Sequence, residues 1–326
     1  MRYAFVSLLI FLALHFVDDS RAQSYPAKVV RVVVPTTPGS GADVIGRIVA
    51  EGLTQVFGQQ VIVENRGGAS SNIGAEFVAR APADGYTLLQ ASMTLAANVS
   101  LFRNLSYDLL RDFAAVTLVA VQPHIIVVHP SMPVKSVKDL IRLAKARPGA
   151  LSYSSAGAGT TTHLAAELFR HMAGVDLLHV PYNGGGPALT AVLSGEVMVY
   201  FAPLPTSFPL TRAGKLRAFA VTTGEPFSGT PEYPSAYPTI AEAGGLPGYA
   251  LVTWYGLMVP AKPPRSTITA LHAATVAVLK KPEVNKRLTN LAYIPAGNQP
   301  EEFTARIKAD IAMVAGIVQR SGATAN

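Results

Sequence analysis

The chain has 326 residues, of which 49% are hydrophobic and 14% charged, and its 27 Lys and Arg against 20 Asp and Glu leave a net charge of +7. That length suits two domains of ordinary size, and so apolar a composition excludes a disordered polypeptide. The basic residues are scattered, with no run longer than Lys280-Lys281, so a nucleic-acid partner finds no support, and the absence of cysteine excludes disulfides and an N-terminal lipid-bearing cysteine.

The N-terminus reads as an export signal. Arg2 supplies the positive start, residues 3–17 form a nearly unbroken apolar run, and Ser20 and Ala22 are the small residues of a cleavage site before Gln23. The run is shorter than the ~20 residues a spanning helix needs. Cleavage near Ala22 would release a periplasmic protein of unchanged net charge, since Arg2, Arg21, Asp18 and Asp19 leave together.

From residue 28 to 90, short β-branched runs alternate with helical stretches. The spacing predicts strands over 29–34, 61–64 and 86–90 and helices over 43–57 and 71–81, the pattern of βαβ units. A second set follows: a strand over 125–128, a helix over 136–146 capped by Ser136, a strand over 151–155 and a helix from Leu164. Strands over 177–180, 197–201 and 216–221 and a helix over 188–193 complete it. Residues 224–250 are rich in Pro and Gly and predict an extended connection with one short helix over 239–243. A strand over 251–259 and helices over 266–280 and 300–319 end the chain. The reading is α/β with two lobes, residues 23–124 plus 246–326 forming the first and 125–245 the second.

Two glycine-rich turns carry the functional signal. Thr36-Thr37-Pro38-Gly39-Ser40-Gly41-Ala42-Asp43 and Ala156-Gly157-Ala158-Gly159-Thr160-Thr161-Thr162-His163 each join a strand to a helix. Glycine lets the backbone approach a ligand, and the helix start offers unpaired N–H groups and partial positive charge. Each is a candidate anion site, and two lobes could close on one anion.

Other chemistries fit poorly. Gly41 to Ile48 has phosphate-loop spacing, but Arg47 and Ile48 replace the required Lys and hydroxyl. No G-x-S-x-G elbow occurs, and His163, His171 and His179 recur every eight residues, which does not share a helical face. No cofactor, metal or catalytic residue is expected. His163 either packs at its helix start or hydrogen-bonds a bound anion. Asp43 is favoured as a cap. Thr160, Thr161 and Thr162 are cap candidates or hydroxyl donors. Trp254 and Tyr255 default to core, with a cleft wall as the alternative.

At these residues the chain resembles the Bug-type receptors of tripartite tricarboxylate transporters. The resemblance rests on Pro38-Gly39-x-x-x-Asp43, Val63-Glu64-Asn65-Arg66-x-Gly68-Ala69 and Asp84-Gly85-Tyr86-Thr87-Leu88. It continues through Thr162-His163-Leu164-Ala165-x-Glu167-Leu168-Phe169, His179-Val180-Pro181-Tyr182, Ala213-Gly214-Lys215-Leu216-Arg217 and Trp254-Tyr255-Gly256-Leu257. It implies a type II periplasmic-binding-protein (Venus flytrap) fold of two mostly parallel sheets joined by two crossovers, binding a small carboxylate as a monomer for inner-membrane transporter subunits. Carried over residue by residue, it implies ligand contacts from Thr36, Thr37, Ser40, Gly41, Asp43, Ser155, Ala156, Gly157, Thr160, His163 and Ala202. Thr36 stands where an aromatic is common, Ser40 where a glycine is common, and Ala202 where an aspartate is frequent. The last departure argues against an amino-acid ligand. A sensor with the same lobes, or an enzyme acting on carboxylates, are the alternatives.

Overall fold

The computed structural model describes residues 25–230 and 233–321, so the expected signal segment lies outside the described residues. Strand β1 (Val30–Val34) is a run of valines around Arg31, flanked in parallel by β2 (Val61–Asn65) and β3 (Thr87–Ser92). Such a run suits a strand covered on both faces. Helix α1 (Gly41–Phe57) and helix α2 (Asn72–Ala79) make the two right-sized crossovers between these strands. Helix α3 (Met93–Leu101) and β4 (Phe113–Gln122) follow, and Pro123 carries the chain into a second sheet.

That sheet contains β5 (His124–Val128), β6 (Ser152–Ser155), β7 (Leu178–Pro181), β8 (Val199–Pro203) and β9 (Arg217–Val221), in the order β7-β6-β8-β5-β9. The interleaved helices are α4 (Val137–Ala146), α5 (Thr161–Ala173), α6 (Gly185–Leu193), α7 (Leu204–Arg212) and α8 (Ile240–Gly244). The chain then returns through β10 (Thr253–Pro260), α9 (Arg265–Lys280), α10 (Pro282–Thr289), β11 (Ile294–Pro295) and α11 (Pro300–Ser321). The first sheet thus has the order β11-β4-β10-β3-β1-β2.

Among the described strands, parallel pairing is found in β2-β1-β3 and β7-β6-β8. The strands beside the two crossings, β4, β5, β9 and β10, pair antiparallel, because a chain that leaves a lobe and re-enters it runs back along the sheet. Both sheets are therefore mixed. One hydrophobic cluster runs through both lobes, joining Val33, Leu89, Trp254 and Phe303 to Tyr153, Phe169, Phe201 and Tyr249. Helix α11 packs on α3 and β4 of the first lobe and on α5 of the second.

The start signals hold where a cap is present. Ser40 accepts the Asp43 N–H and Ser136 the Asp139 N–H, and Thr239 with Glu242 forms a capping box on α8. Five elements had no expectation: α3, β4, α7, α10 and β11. Helix α3 is buried nearly all round and shows no apolar stripe. Strand β4 is an apolar run whose periodicity does not separate strand from helix. Helix α7 contains Pro205 near its start and Pro209 inside it, which sequence rules read as breaks.

Candidate functional site

The first glycine loop is held from behind. Gly39 turns with φ 79°, and its N–H donates to Asp43 Oδ2 at 2.9 Å. Arg47 Nε donates to the same oxygen at 3.0 Å, and Asn65 Nδ2 reaches Asp43 Oδ1 at 2.9 Å and the Thr36 carbonyl at 3.2 Å. Burial alone would raise the Asp43 carboxyl, but Arg47, the Gly39 N–H and Asn65 together hold it below its ordinary value. Asp43 is 3% exposed, so this carboxylate ties the loop to the end of β2 and does not face solvent. Thr36 Oγ1 and Ser40 Oγ share a hydrogen bond of 2.7 Å, while Thr37 stands exposed. A side chain at Gly41 would come within 2.6 Å of the Tyr293 hydroxyl, so the start of α1 lies directly against that phenol.

The second loop is held by a column of rings. His163 Nδ1 accepts the Gly159 N–H at 3.0 Å, and His163 stacks on His179 with centroids 4.2 Å apart. His179 stacks in turn on Tyr153 at 4.8 Å, and Tyr153 donates its hydroxyl to Glu167 at 2.5 Å. Arg170 Nη1 reaches the same Glu167 oxygen at 2.7 Å. Burial is the main cause that lowers both histidines, His179 to about 4, with the neighbouring His163 adding to it. Both rings are therefore neutral, and His163 keeps Nδ1 free of a proton to accept from Gly159.

Ser155 Oγ lies 2.7 Å from His179 Nε2, a nucleophile-to-base distance, but Ser155 is fully buried and also contacts the Gly157 N–H and carbonyl at 3.2 Å. This pair braces the loop. Ala156 donates its N–H to Thr162 Oγ1, and Thr160 Oγ1 donates to the Gly157 carbonyl. Thr160 is the N-cap of α5, yet no side chain caps the helix. The first-turn N–H groups of α5 are left for another acceptor.

Both helix starts meet one cleft between the lobes. One pocket, of about 230 Å³, is lined by Ser70, Thr94, Asn98, Ala158, Thr160 and Thr161 among others. A second, of about 360 Å³, is lined by Gly39, Gly41, Gln122, Pro203, Thr206 and Tyr293 among others. Tyr255 lines both. Neither lining contains Asp, Glu, Lys or Arg.

Of the residues expected at the site, Gly41 and Thr160 line these pockets. Thr36, Ser40, Ala156 and Gly157 sit half-buried in the loops behind them. Asp43, Ser155 and His163 are buried and turned to loop-holding contacts. Ala202 is 0% exposed and packs its side chain into the second lobe's core, and Pro203 beside it is the residue that reaches the cleft.

The polar lining residues without an expectation include Ser70, Thr94, Asn98, Gln122, Thr206 and Tyr293. Ser70 had a signal: Ala69, Ser70 and Ser71 all have positive φ, and Asn98 anchors this strained turn by donating to the Ser70 carbonyl at 2.7 Å. Tyr255 walls the cleft while Trp254, one position earlier on β10, points into the core, as strand alternation requires.

Two lobes that bring two glycine loops to one uncharged cleft define a two-lobed solute-binding protein. Residues 45–322 match the family model described as "Tripartite tricarboxylate transporter family receptor", and the chain belongs to this family, whose members are periplasmic solute-binding receptors. It is 33% identical over 304 residues to Protein BugT of Bordetella pertussis, covering 93% of this chain and 92% of that one. Among solved structures, an R. palustris protein with adipate is 36% identical with a TM-score of 0.75, covering 92% of this chain and 99% of that one. MatC from Rhodopseudomonas palustris with bound malate is 30% identical with a TM-score of 0.71, covering 90% and 100%.

Proposed function

We infer that this protein is the exported receptor, with its signal removed near Ala22, that captures a small carboxylate between residues 23–124 plus 246–326 and residues 125–245 for an inner-membrane transporter. One observation carries this reading. The uncapped start of α5 and the start of α1 at Gly41 face the same cleft, whose lining is hydroxyls, amides and aromatics without a charged group. Neutral dipoles at two helix starts favour an anion, and the absence of a lining acid leaves no partner for a ligand ammonium. Carboxylate ligands in two similar structures support the same class.

The protein is a receptor and not a catalyst. Ser155 and His179, the one nucleophile-and-base pair at contact distance in this region, are braced in the loop, and His179 with its pKa near 4 is a weak base at neutral pH. Ligand-free protein is screened by thermal shift against mono-, di- and tricarboxylates, aromatic acids and amino acids. A carboxylate at 100 times its Kd adds about 2.7 kcal/mol of stability, a rise of a few degrees in Tm. A response confined to amino acids or to uncharged solutes overturns the reading.

A further inference from the structure

In strand β1, Arg31 is the one break in a run of valines that is otherwise buried. A strand covered on both faces has no place for a guanidinium, so part of this sheet face is bare. Helix α2 covers the face, but it has only eight residues and ends at Ala79. Register sets Ile62 of β2, Arg31 of β1 and Thr87 of β3 side by side near the starts of three parallel strands. Ile62 is 36% exposed and the Arg31 side chain 42%.

Between this row and the end of α2 lies a pocket of about 500 Å³, a volume ordinary for a small-molecule site. Its apolar wall is Ile73, Phe77, Ala81 and Pro82. Arg66 lies over the Phe77 ring, 3.6 Å from its centroid, and steadies that wall. On the sheet side, Arg31 and Thr87 offer a guanidinium and a hydroxyl. On the helix side, Arg80 pairs with Glu76 at 2.5 Å and offsets the negative end of α2.

The charge count favours an anion. Glu64 is shared by Arg31 at 3.1 Å and Arg66 at 2.5 Å, so with Arg80 and Glu76 three guanidiniums stand against two carboxylates. Glu64 meets Nε of Arg31, and a guanidinium carries further N–H donors beyond that one. Arg31 and Thr87 stand near the starts of β1 and β3, whereas the cleft residues Gly39 and Gly41 follow the end of β1. The pocket is therefore apart from the cleft. All of its lining falls within residues 31–87, in the first lobe, so closure of the lobes does not reshape it.

We propose that this pocket is a second ligand site, for an amphipathic anion. Arg31 and Thr87 hold its carboxylate, and its hydrocarbon body lies against Ile73, Phe77 and Pro82. The site is independent of the carboxylate reading of the cleft.

The test is calorimetry with octanoate, octanol and octylammonium on protein carrying Gly159→Val, which takes the cleft out of the measurement. Octanoate should bind tenfold or more tighter than the other two, on the order of one charge-assisted hydrogen bond. Arg31→Gln leaves Glu64 its pair with Arg66, so the fold should hold while octanoate affinity falls about tenfold. Ile73→Glu puts a charge at an exposed position in the first turn of α2, where it favours the helix and repels the ligand. Tm should hold or rise while octanoate affinity falls by a similar factor.

With the cleft intact, neither substitution should move the thermal-shift response to short carboxylates, so the two readings fail separately. Equal affinity for the three probes, silence to octanoate, or octanoate binding that survives both substitutions overturns the site. Binding to phosphatidylglycerol vesicles without uptake of free octanoate also overturns it and marks a membrane contact instead.

Discussion

At the scale of single residues, the second loop depends on neutral histidines. His163 accepts the Gly159 N–H, His179 contacts Ser155, and the fully buried His124 is likewise lowered to about 4 by burial. A histidine kept neutral in the folded state takes up a proton on unfolding between its depressed value and the ordinary ~6.5. The unfolded chain then binds more protons, so stability is full above pH ~6.5 and declines as pH falls towards about 4. Glu167 and Arg170 face this column from α5, and Tyr153 from β6. Asp310, raised mainly by burial, contributes with the opposite sign but stands alone against three histidines. Ligand-free protein should lose several degrees of Tm between pH 7.5 and pH 5, read by calorimetry. A flat or rising Tm across that interval would contradict the neutral column.

At the scale of elements, helices α1 and α9 touch where Gly52 meets Val278. A Cβ at Gly52 would sit 2.3 Å from Val278 Cγ1, so this glycine is required by close approach and not by its backbone angle. Alanine at a helix interior normally gains ~1 kcal/mol over glycine. Here overpacking of about 1–3 kcal/mol should outweigh that gain and lower stability. The double variant Gly52→Ala with Val278→Ala should recover part of the loss, measured by denaturant unfolding. A single variant more stable than the parent would mean that the helices separate freely.

At the scale of the molecule, the second loop touches the opposite lobe through Gly159. Its Cβ position lies 2.6 Å from Leu101 Cδ1, and its φ of 76° is left-handed. Gly159→Val therefore strains the loop locally and wedges the lobes apart. Ligand affinity should fall at least 100-fold, as both helix starts no longer reach one ligand, while the unliganded protein loses only ~1–2 kcal/mol of backbone strain. Pairing Gly159→Ala with Leu101→Ala should restore affinity relative to Gly159→Ala alone. Affinity unchanged in the valine variant would place the binding site away from this contact.

The sequence by itself determined the elements with strong local signals and the two glycine loops. Valine runs, the caps at Ser40, Ser136 and Thr239, and glycines before helices are decided by neighbours a few residues away. Tertiary structure decided what each loop residue does. Asp43 and His163 belong to the loops that the motifs mark, yet their orientation depends on Asn65, Arg47 and His179, which the chain brings in from elsewhere. Tyr293 and Gln122 reach the cleft only because β11 lies beside β4 and β10 returns from the other lobe. Periodicity and propensity act over one or two turns, whereas a cleft is made by contacts between residues more than a hundred positions apart, and only packing selects those.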